Sequence, residues 1–142
     1  MTKTLFYRWF GFGRVPDSFR ERLDAEGVLC EEEGIRLATN LRRFKGPWRF
    51  GVDKGSRRSG ALVVTSRRLV GFSRSRTAIN IPWEHPSLGK LRIEVESPSV
   101  LLIAYEAQHF IPDTTGTIEL RFRLRDPAAF LAAIATARGA RN

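Results

Sequence analysis

The chain has 142 residues, of which 42% are hydrophobic and 11% aromatic, and its formal net charge is +9. This length predicts one domain that buries roughly 68–70% of its unfolded surface, and the apolar content excludes a disordered chain. The single cysteine, Cys30, excludes an intrachain disulfide, and no Cys/His spacing is that of a zinc site. The positive charge predicts an acidic partner, which is nucleic acid, anionic lipid or an acidic protein face.

Residues 1–14 are rich in aromatic side chains and glycine, and Trp9 and Phe10 are their candidate interfacial residues. The apolar run at 5–10 is too short for a spanning helix and lacks the cleavage site of a signal peptide, so we expect a cytoplasmic protein. One interpretation of this segment is a peripheral anchor at the inner face of the membrane. The favoured one is that the rings cover a flank of the domain, because so few apolar residues anchor weakly.

The residues from Val15 to Glu26 predict a short helix. Val15, Phe19 and Leu23 recur every four residues on one face, and Ser18 and Glu21 have the spacing of a capping box. Gly27 is the expected stop. We therefore expect residues 1–27 to form an aromatic segment and a helix packed on a domain that spans 28–142.

Beyond Val28 the apolar period changes to two, which predicts a half-buried strand over 35–41 with a bulge or bend at Gly34. An acidic triplet, Glu31–Glu33, precedes this strand. Three carboxylates could hold a metal ion, but without a nearby His or Asp they are better interpreted as a solvated or self-pairing face.

The positive charge is concentrated between residues 42 and 76. This window holds eleven Lys or Arg and one acid, whereas the rest of the chain has 13 bases and 14 acids. Its members are the candidate anion-binding or lipid-binding residues: Arg42, Arg43, Lys45, Arg49, Lys54, Arg57, Arg58, Arg67, Arg68, Arg74 and Arg76. Residues 43–59 lack a regular pattern and predict a long loop with a frayed strand at 48–52, in which Trp48 and Phe50 are further interfacial candidates.

A hairpin follows the loop. Two apolar runs, Ala61–Val64 and Leu69–Phe72, are separated by the turn-forming stretch Thr65–Arg68, which predicts strands over 60–65 and 67–74. Arg67 and Arg68 lie at this turn, and we expect one contiguous basic patch if the 43–59 loop folds over the same end of the sheet.

Four further strands and a helix complete the predicted fold. The strands are 77–82, a segment in which Leu91, Ile93 and Val95 alternate with charges, an apolar central strand at 100–105, and 117–124. Asp126 followed by proline predicts the start of a helix over 126–137 with Phe130, Leu131 and Ile134 on its apolar face. Seven strands with short connections predict a mostly β fold, a bent antiparallel barrel or sandwich that the C-terminal helix caps.

The hairpin resembles that of the pleckstrin-homology (PH) superfold, and within it the bacterial PH-like and GRAM-like groups. The resemblance rests on Gly60–Val70 with its Thr-x-x-Arg-Leu turn, on Ile79–Pro82, on the strand at 117–124 and on the terminal helix, and it covers residues 28–137. It implies a seven-stranded barrel capped by a helix, in a superfold that includes phosphoinositide binders and protein-binding modules. The chain departs from the lipid-binding members because its terminal helix has no Trp and its first loop lacks a spaced Arg-x-Arg.

No pattern in the chain predicts catalysis. The two histidines, His85 and His109, lie in predicted turns, and no nucleophile elbow, P-loop or HExxH motif is present. We expect a non-enzymatic protein with no cofactor, no metal and no small-molecule substrate.

Three binding hypotheses remain open. The first is an anionic membrane surface or headgroup, bound through the basic loop and hairpin. The second is an acidic protein partner or self-assembly, through an exposed edge strand or the N-terminal aromatic segment. The third is non-specific nucleic-acid binding, with Trp48, Phe44 and Phe50 stacking on bases. A basic tract that only keeps the protein soluble is the alternative to all three.

Overall fold

A computed structural model describes residues 15–45, 57–74 and 76–139 of the chain. It confirms the predicted fold class: seven antiparallel strands form one sheet that curls into a half-barrel, with a short N-terminal and a longer C-terminal helix. The order of the strands across the sheet is β4-β3-β2-β1-β7-β6-β5. In chain order the elements are α1 (Asp17–Glu26), β1 (Val28–Lys45), β2 (Arg57–Thr65), β3 (Arg68–Ser73), β4 (Arg76–Pro82), β5 (Arg92–Ser97), β6 (Val100–Glu106), β7 (Thr115–Arg123) and α2 (Pro127–Gly139).

Strand β1 joins the two halves of the sheet. Its residues up to Ala38 pair with β2, whereas the residues from Leu37 onward pair with β7. The predicted bulge at Gly34 is confirmed, because the pairing with β2 shifts between Glu33 and Ile35 and Gly34 has φ 69°. A positive φ favours glycine, and a bulge bends the strand that carries it.

The two apolar runs of the β2–β3 hairpin are continuous because both faces of these strands are covered. Leu62, Val64 and Leu69 lie in the core between the sheet and α2, where none of them is exposed. Ala61, Val63, Val70 and Phe72 form a second cluster on the outer face with Val15 and Leu23 of the α1 segment. Strands that are buried on both faces lose the alternation of polar and apolar residues.

Helix α1 uses the predicted face. Leu23 is fully buried, and the ring of Phe19 packs edge-on against Phe72 with centroids 5.2 Å apart. The predicted capping box is wrong: the helix begins after Pro16, which has no side chain that can cap it. Gly27 ends the helix as expected, with φ 90° and its N–H bonded to the carbonyl of Asp24.

Helix α2 closes the half-barrel with a face that differs from the prediction at one position. Phe130, Ile134 and Ala137 are buried, whereas Leu131 is 36% exposed. The assignment of Leu131 to the apolar face was wrong. The face toward the sheet continues from Phe130 to the residue four positions later, Ile134, and then to the residue three positions after that, Ala137. The predicted cap is confirmed, since the Asp126 carboxylate accepts a hydrogen bond from the N–H of Ala129 at 3.2 Å.

A charged pair spans the outer face of the second half of the sheet. Arg121 on β7 bonds to Glu96 on β5 at 2.8 and 3.1 Å, and β6 lies between these two strands. The pair therefore reaches across β6 near Leu102, which is paired with Arg121 and only 1% exposed. The hydrogen bond from Arg121 holds the pKa of Glu96 below its usual value.

One predicted element lies in a segment between the described ranges. Residues 46–56 separate β1 from β2, so the frayed strand predicted at 48–52 lies outside the described residues. In the described part of the chain, no helix is both long enough and apolar enough to cross a membrane.

Gly71 should be intolerant of a side chain because it faces the core. A Cβ built there would lie 2.8 Å from the ring of Phe122 and 2.9 Å from Cγ2 of Ile79. We expect Gly71→Ala to lower the free energy of unfolding by about 1–3 kcal/mol, as overpacking does. Urea unfolding measures this, with Gly89→Ala as the control, because a Cβ at Gly89 meets nothing within 4 Å. Equal stability of the two variants would contradict the packing.

Candidate functional site

The two turns that carry the hairpin arginines lie at opposite ends of β2 and β3. Thr65, before the first turn, pairs with Val28 at the start of β1, whereas the N–H of Arg74, in the second turn, donates to the carbonyl of Ser59. Six residues of strand separate Ser59 from Thr65, which is about 20 Å. The register of the hairpin therefore places Arg67 at the other end of these strands from Arg57 and Arg74, and the loop on which one contiguous patch was conditional lies mostly at 46–56, outside the described residues.

Arg68 has a structural role at the first of these ends. Its Nε donates to Oε1 of Glu26 at 3.1 Å and its Nη2 lies 3.0 Å from Oε2, so the guanidinium holds both carboxylate oxygens. Glu26 is only 8% exposed at its side chain, and its Oε1 also accepts from the hydroxyl of Thr65 at 2.8 Å. Arg68 thus joins the β2–β3 turn to the end of α1. Its partner lies 42 residues away, which sequence spacing does not reveal.

Trp83 packs against the β2–β3 turn, at the same end of the hairpin as Arg68. Its indole N–H donates to the carbonyl of Thr65 at 2.9 Å, its backbone N–H donates to Arg67, and its side chain is 4% exposed. Arg67 itself is exposed. Of the two turn arginines, Arg67 alone presents its side chain mainly to solvent.

By backbone position, the other end of the hairpin and the end of β1 carry seven of the eleven candidates, and we call this region the basic surface. The seven are Arg42, Arg43, Lys45, Arg57, Arg58, Arg74 and Arg76. Arg57 and Arg58 begin β2, where they pair with Ala38 and Leu37 in the middle of β1. Arg74 and Arg76 flank the turn between β3 and β4, and both are exposed.

An irregular stretch of backbone at the end of β1 sets the positions of the basic residues there. Between Arg42 and Lys45 the pairing with β7 shifts, and Arg43 has φ 54°. Gly116 on β7 fits this bulge closely, because a Cβ there would lie 2.6 Å from the carbonyl oxygen of Arg43. Arg42, Arg43 and Lys45 are all exposed, and Arg42 also contacts the nearly buried Glu119 at 3.2 Å.

The basic surface is broad rather than concave. Lys45 lies seven residues beyond Ala38 along β1, which is roughly 20–25 Å of strand. None of the eleven candidates lines the cavity beside β4 or the cavity between Cys30 on β1 and Phe130 on α2. An arrangement of this kind suits an extended anionic surface better than one enclosed phosphate group.

Six candidates lie outside the described residues. They are the basic residues Arg49 and Lys54 and the interfacial residues Trp48, Phe50, Trp9 and Phe10.

The acidic triplet has a structural role that the sequence did not indicate. Glu31 and Glu33 both pair with Arg20 of α1, at 2.7 and 3.3 Å. Glu32 accepts a hydrogen bond from the backbone N–H of Arg125, just before α2, at 2.9 Å. The expectation of a solvated or self-pairing face is therefore corrected: the triplet attaches both helices to β1.

The histidines are placed in short connections, as predicted. His85 follows β4, and its Nδ1 accepts a hydrogen bond from the N–H of Ser87 at 3.0 Å, while its ring lies 4.8 Å from that of Phe110. His109 lies in a 3-10 turn after β6. Across residues 15–45, 57–74 and 76–139, no three His, Cys, Asp or Glu side chains are grouped so that they could hold a metal ion.

Comparisons with known proteins find no matching family model and no matching curated protein. Among solved structures, the chain is similar to a chain of "The 8S snRNP Assembly Intermediate", with 15% identity and a TM-score of 0.47. The match covers 80% of this chain and 83% of that chain. A likeness at this level supports no conclusion about function.

Arg67 and Arg68 should differ sharply in their effect on stability. We expect Arg68→Ala to lower the free energy of unfolding by about 1–3 kcal/mol, because it leaves the nearly buried carboxylate of Glu26 without its cation. Arg67→Ala is the matched control and should change stability by less than about 0.5 kcal/mol, as exposed substitutions do. Thermal unfolding of both variants measures the difference, and equal effects would remove the structural role of Arg68.

Cys30 should react slowly with alkylating reagents. Burial raises the pKa of its thiol above the ordinary value, and the neighbouring carboxylates of Glu32 and Asp126 raise it further. Because the thiolate is the reactive form, the midpoint of the pH–rate profile should lie higher in the folded protein than in urea. Glu32→Gln, which removes one charge and keeps the oxygen acceptor, should lower this midpoint. Identical profiles for the folded and unfolded chains would contradict the effect.

Proposed function

We propose that this chain is a non-enzymatic binding module of the PH-like class that associates with anionic membrane surfaces through its basic surface. The observation that supports this proposal is the exposure of Arg42, Arg43 and Lys45 at the end of β1 and of Arg74 and Arg76 at the turn between β3 and β4. On this proposal the protein is peripheral, held at the lipid headgroups from the aqueous side.

The magnitude of the attraction favours a reversible association. Each basic residue near an anionic bilayer contributes about 1 kcal/mol, so five exposed cations contribute about 5 kcal/mol at most. An attraction of this size corresponds to binding on the order of 0.2 mM and weakens as salt screens the charges. Stable attachment needs a second contribution. Trp48 and Phe50, in the segment that joins β1 to β2, are the proposed source of that apolar contribution.

Flotation with liposomes of graded anionic lipid content tests the proposal. We expect the combined variant Arg42→Gln, Arg43→Gln and Lys45→Gln to bind roughly 100-fold more weakly, since three cations each contribute about 1 kcal/mol. The matched control is Arg22→Gln, Arg67→Gln and Arg123→Gln, which removes the same charge from exposed positions outside the basic surface. Equal loss in the two triple variants would mean that only net charge matters, and it would overturn the proposed surface.

A parallel titration with single-stranded DNA separates the membrane from nucleic acid. On the present proposal, binding to anionic liposomes persists at physiological salt, whereas binding to DNA falls away as counterions compete for the phosphates. DNA binding that persists while liposome binding is lost would instead support the nucleic-acid hypothesis.

A further inference from the structure

A cavity of about 180 Å³ runs along the open edge of β4, on the seam of the half-barrel. Residues 77–81 of β4 line this cavity together with His85, Tyr105, Phe110 and Ile111. Consecutive side chains of a strand point to opposite faces. Since five consecutive residues line this one cavity, it follows the edge of the strand rather than either face.

Tyr105 gives this cavity an unsatisfied polar group. Its side chain is 4% exposed, its ring packs edge-on against Phe110 at 5.1 Å, and burial raises the pKa of its hydroxyl. Within the part of the chain that the structure describes, this hydroxyl makes no hydrogen bond. Buried hydroxyls nearly always have a partner, and one without a partner costs stability. The hydroxyl of Tyr105 is thus available to a ligand in the cavity.

The two edges of the sheet are protected very differently. The other edge, β5, places Arg92, Glu94 and Glu96 at alternate positions, and charges of this kind block the approach of a foreign strand. Strand β4 has no charged residue and no proline between Arg76 and Pro82. Alternate residues of an edge strand direct their backbone N–H and C=O groups away from the sheet, and here they face the cavity. Of the two edges of the sheet as described, only β4 therefore offers one that can accept another strand.

We propose that the β4 edge binds an extended acidic peptide segment of a partner protein, which adds a strand to the sheet and inserts one side chain into the cavity beside Tyr105. The cavity is smaller than the roughly 300–1,000 Å³ of typical small-molecule sites, so it suits a single side chain. Strand addition supplies affinity through the backbone, and a pocket for one side chain supplies specificity.

Charge selects the acidic partner. The exposed guanidinium groups of Arg74 and Arg76 lie at the start of β4, where an acidic residue of the added strand would meet them. A second copy of this chain is a poor occupant because two molecules with a net charge of +9 repel each other. The proposed peptide site uses Tyr105 and the backbone of β4, which the proposed membrane contact does not use.

The donors in the cavity define the inserted side chain. Because Nδ1 of His85 accepts from the N–H of Ser87, the neutral ring carries its proton on Nε2. The hydroxyl of Tyr105 is a second donor. A side chain that offers an oxygen acceptor, such as the amide of glutamine, satisfies both groups.

The probe is a capped hexapeptide of glutamate, valine, threonine, glutamine, threonine and valine, titrated to millimolar concentration into the full-length protein. We expect NMR shifts in the backbone amides of β4 and in residues 105–111, and weaker binding when lysine replaces the glutamate of the peptide. Tyr105→Phe should weaken binding about fivefold, which is the size of one hydrogen bond. The same variant should unfold at an equal or higher temperature, because the removed hydroxyl has no partner in the described structure.

A matched pair of variants tests the choice of edge. Arg76→Gln should weaken binding of the peptide, whereas Arg92→Gln, at the start of β5, should not. Strand addition would be overturned if millimolar peptide caused no shifts, or if the two arginine variants had equal effects. It would also be overturned if the shifts were confined to the cavity residues and did not include the β4 amides. Liposome flotation of Tyr105→Phe should equal that of the unmodified protein, so failure of either proposal can be recognised separately.

Discussion

The fold depends on one strand that belongs to both halves of the sheet. Strand β1 is 18 residues long, and Leu37 and Ala38 pair with β2 on one side and with β7 on the other. Antiparallel sheets that twist strongly must bend somewhere to close, and the bulge at Gly34 supplies a bend within β1. The carboxylates next to that bulge then hold α1 through Arg20 and the start of α2 through the N–H of Arg125. The sheet and both helices are therefore positioned by the same short stretch of chain.

Burial on both faces of the hairpin restricts where this protein can bind anything. The inner face of β2 and β3 is filled by the core and their outer face by α1, so neither face offers a concave site. In this half of the sheet, as far as the structure describes it, the accessible parts are the ends of the strands and the edge of β4. The charged residues divide accordingly. At the α1 end, Arg68 is held by Glu26 for stability, whereas Arg43, Lys45 and Arg76 of the basic surface are exposed.

The sequence predicted those features that depend on local pattern. The alternation of Ile118, Leu120, Phe122 and Leu124 identified a strand whose four apolar side chains are all completely buried, and the glycines at 27 and 34 were assigned correctly because their roles are local. The pairing of Arg68 with Glu26, the attachment of the helices by Glu31–Glu33 and the cavity beside Tyr105 were missed. Each of these joins residues that are far apart in the chain, and their contacts arise from strand register, which a single sequence does not determine. For the same reason, the local excess of arginine did not determine which arginines lie together, and the register places Arg67 at the other end of the hairpin from Arg74.

The two proposed ligands meet at the β3–β4 turn. Arg74 and Arg76 belong to the basic surface, and they also stand at the start of the edge that the peptide would occupy. An acidic strand bound there would neutralise two of the cations that attract the membrane, and it would leave Arg42, Arg43 and Lys45 on β1 unaffected. Since the electrostatic attraction is close to additive in the number of basic residues, the membrane would bind the peptide-free form more tightly. By linkage, the peptide would bind more weakly to the membrane-associated protein by the same factor. On these two proposals, shared charge alone would couple the two sites, without any change in the fold.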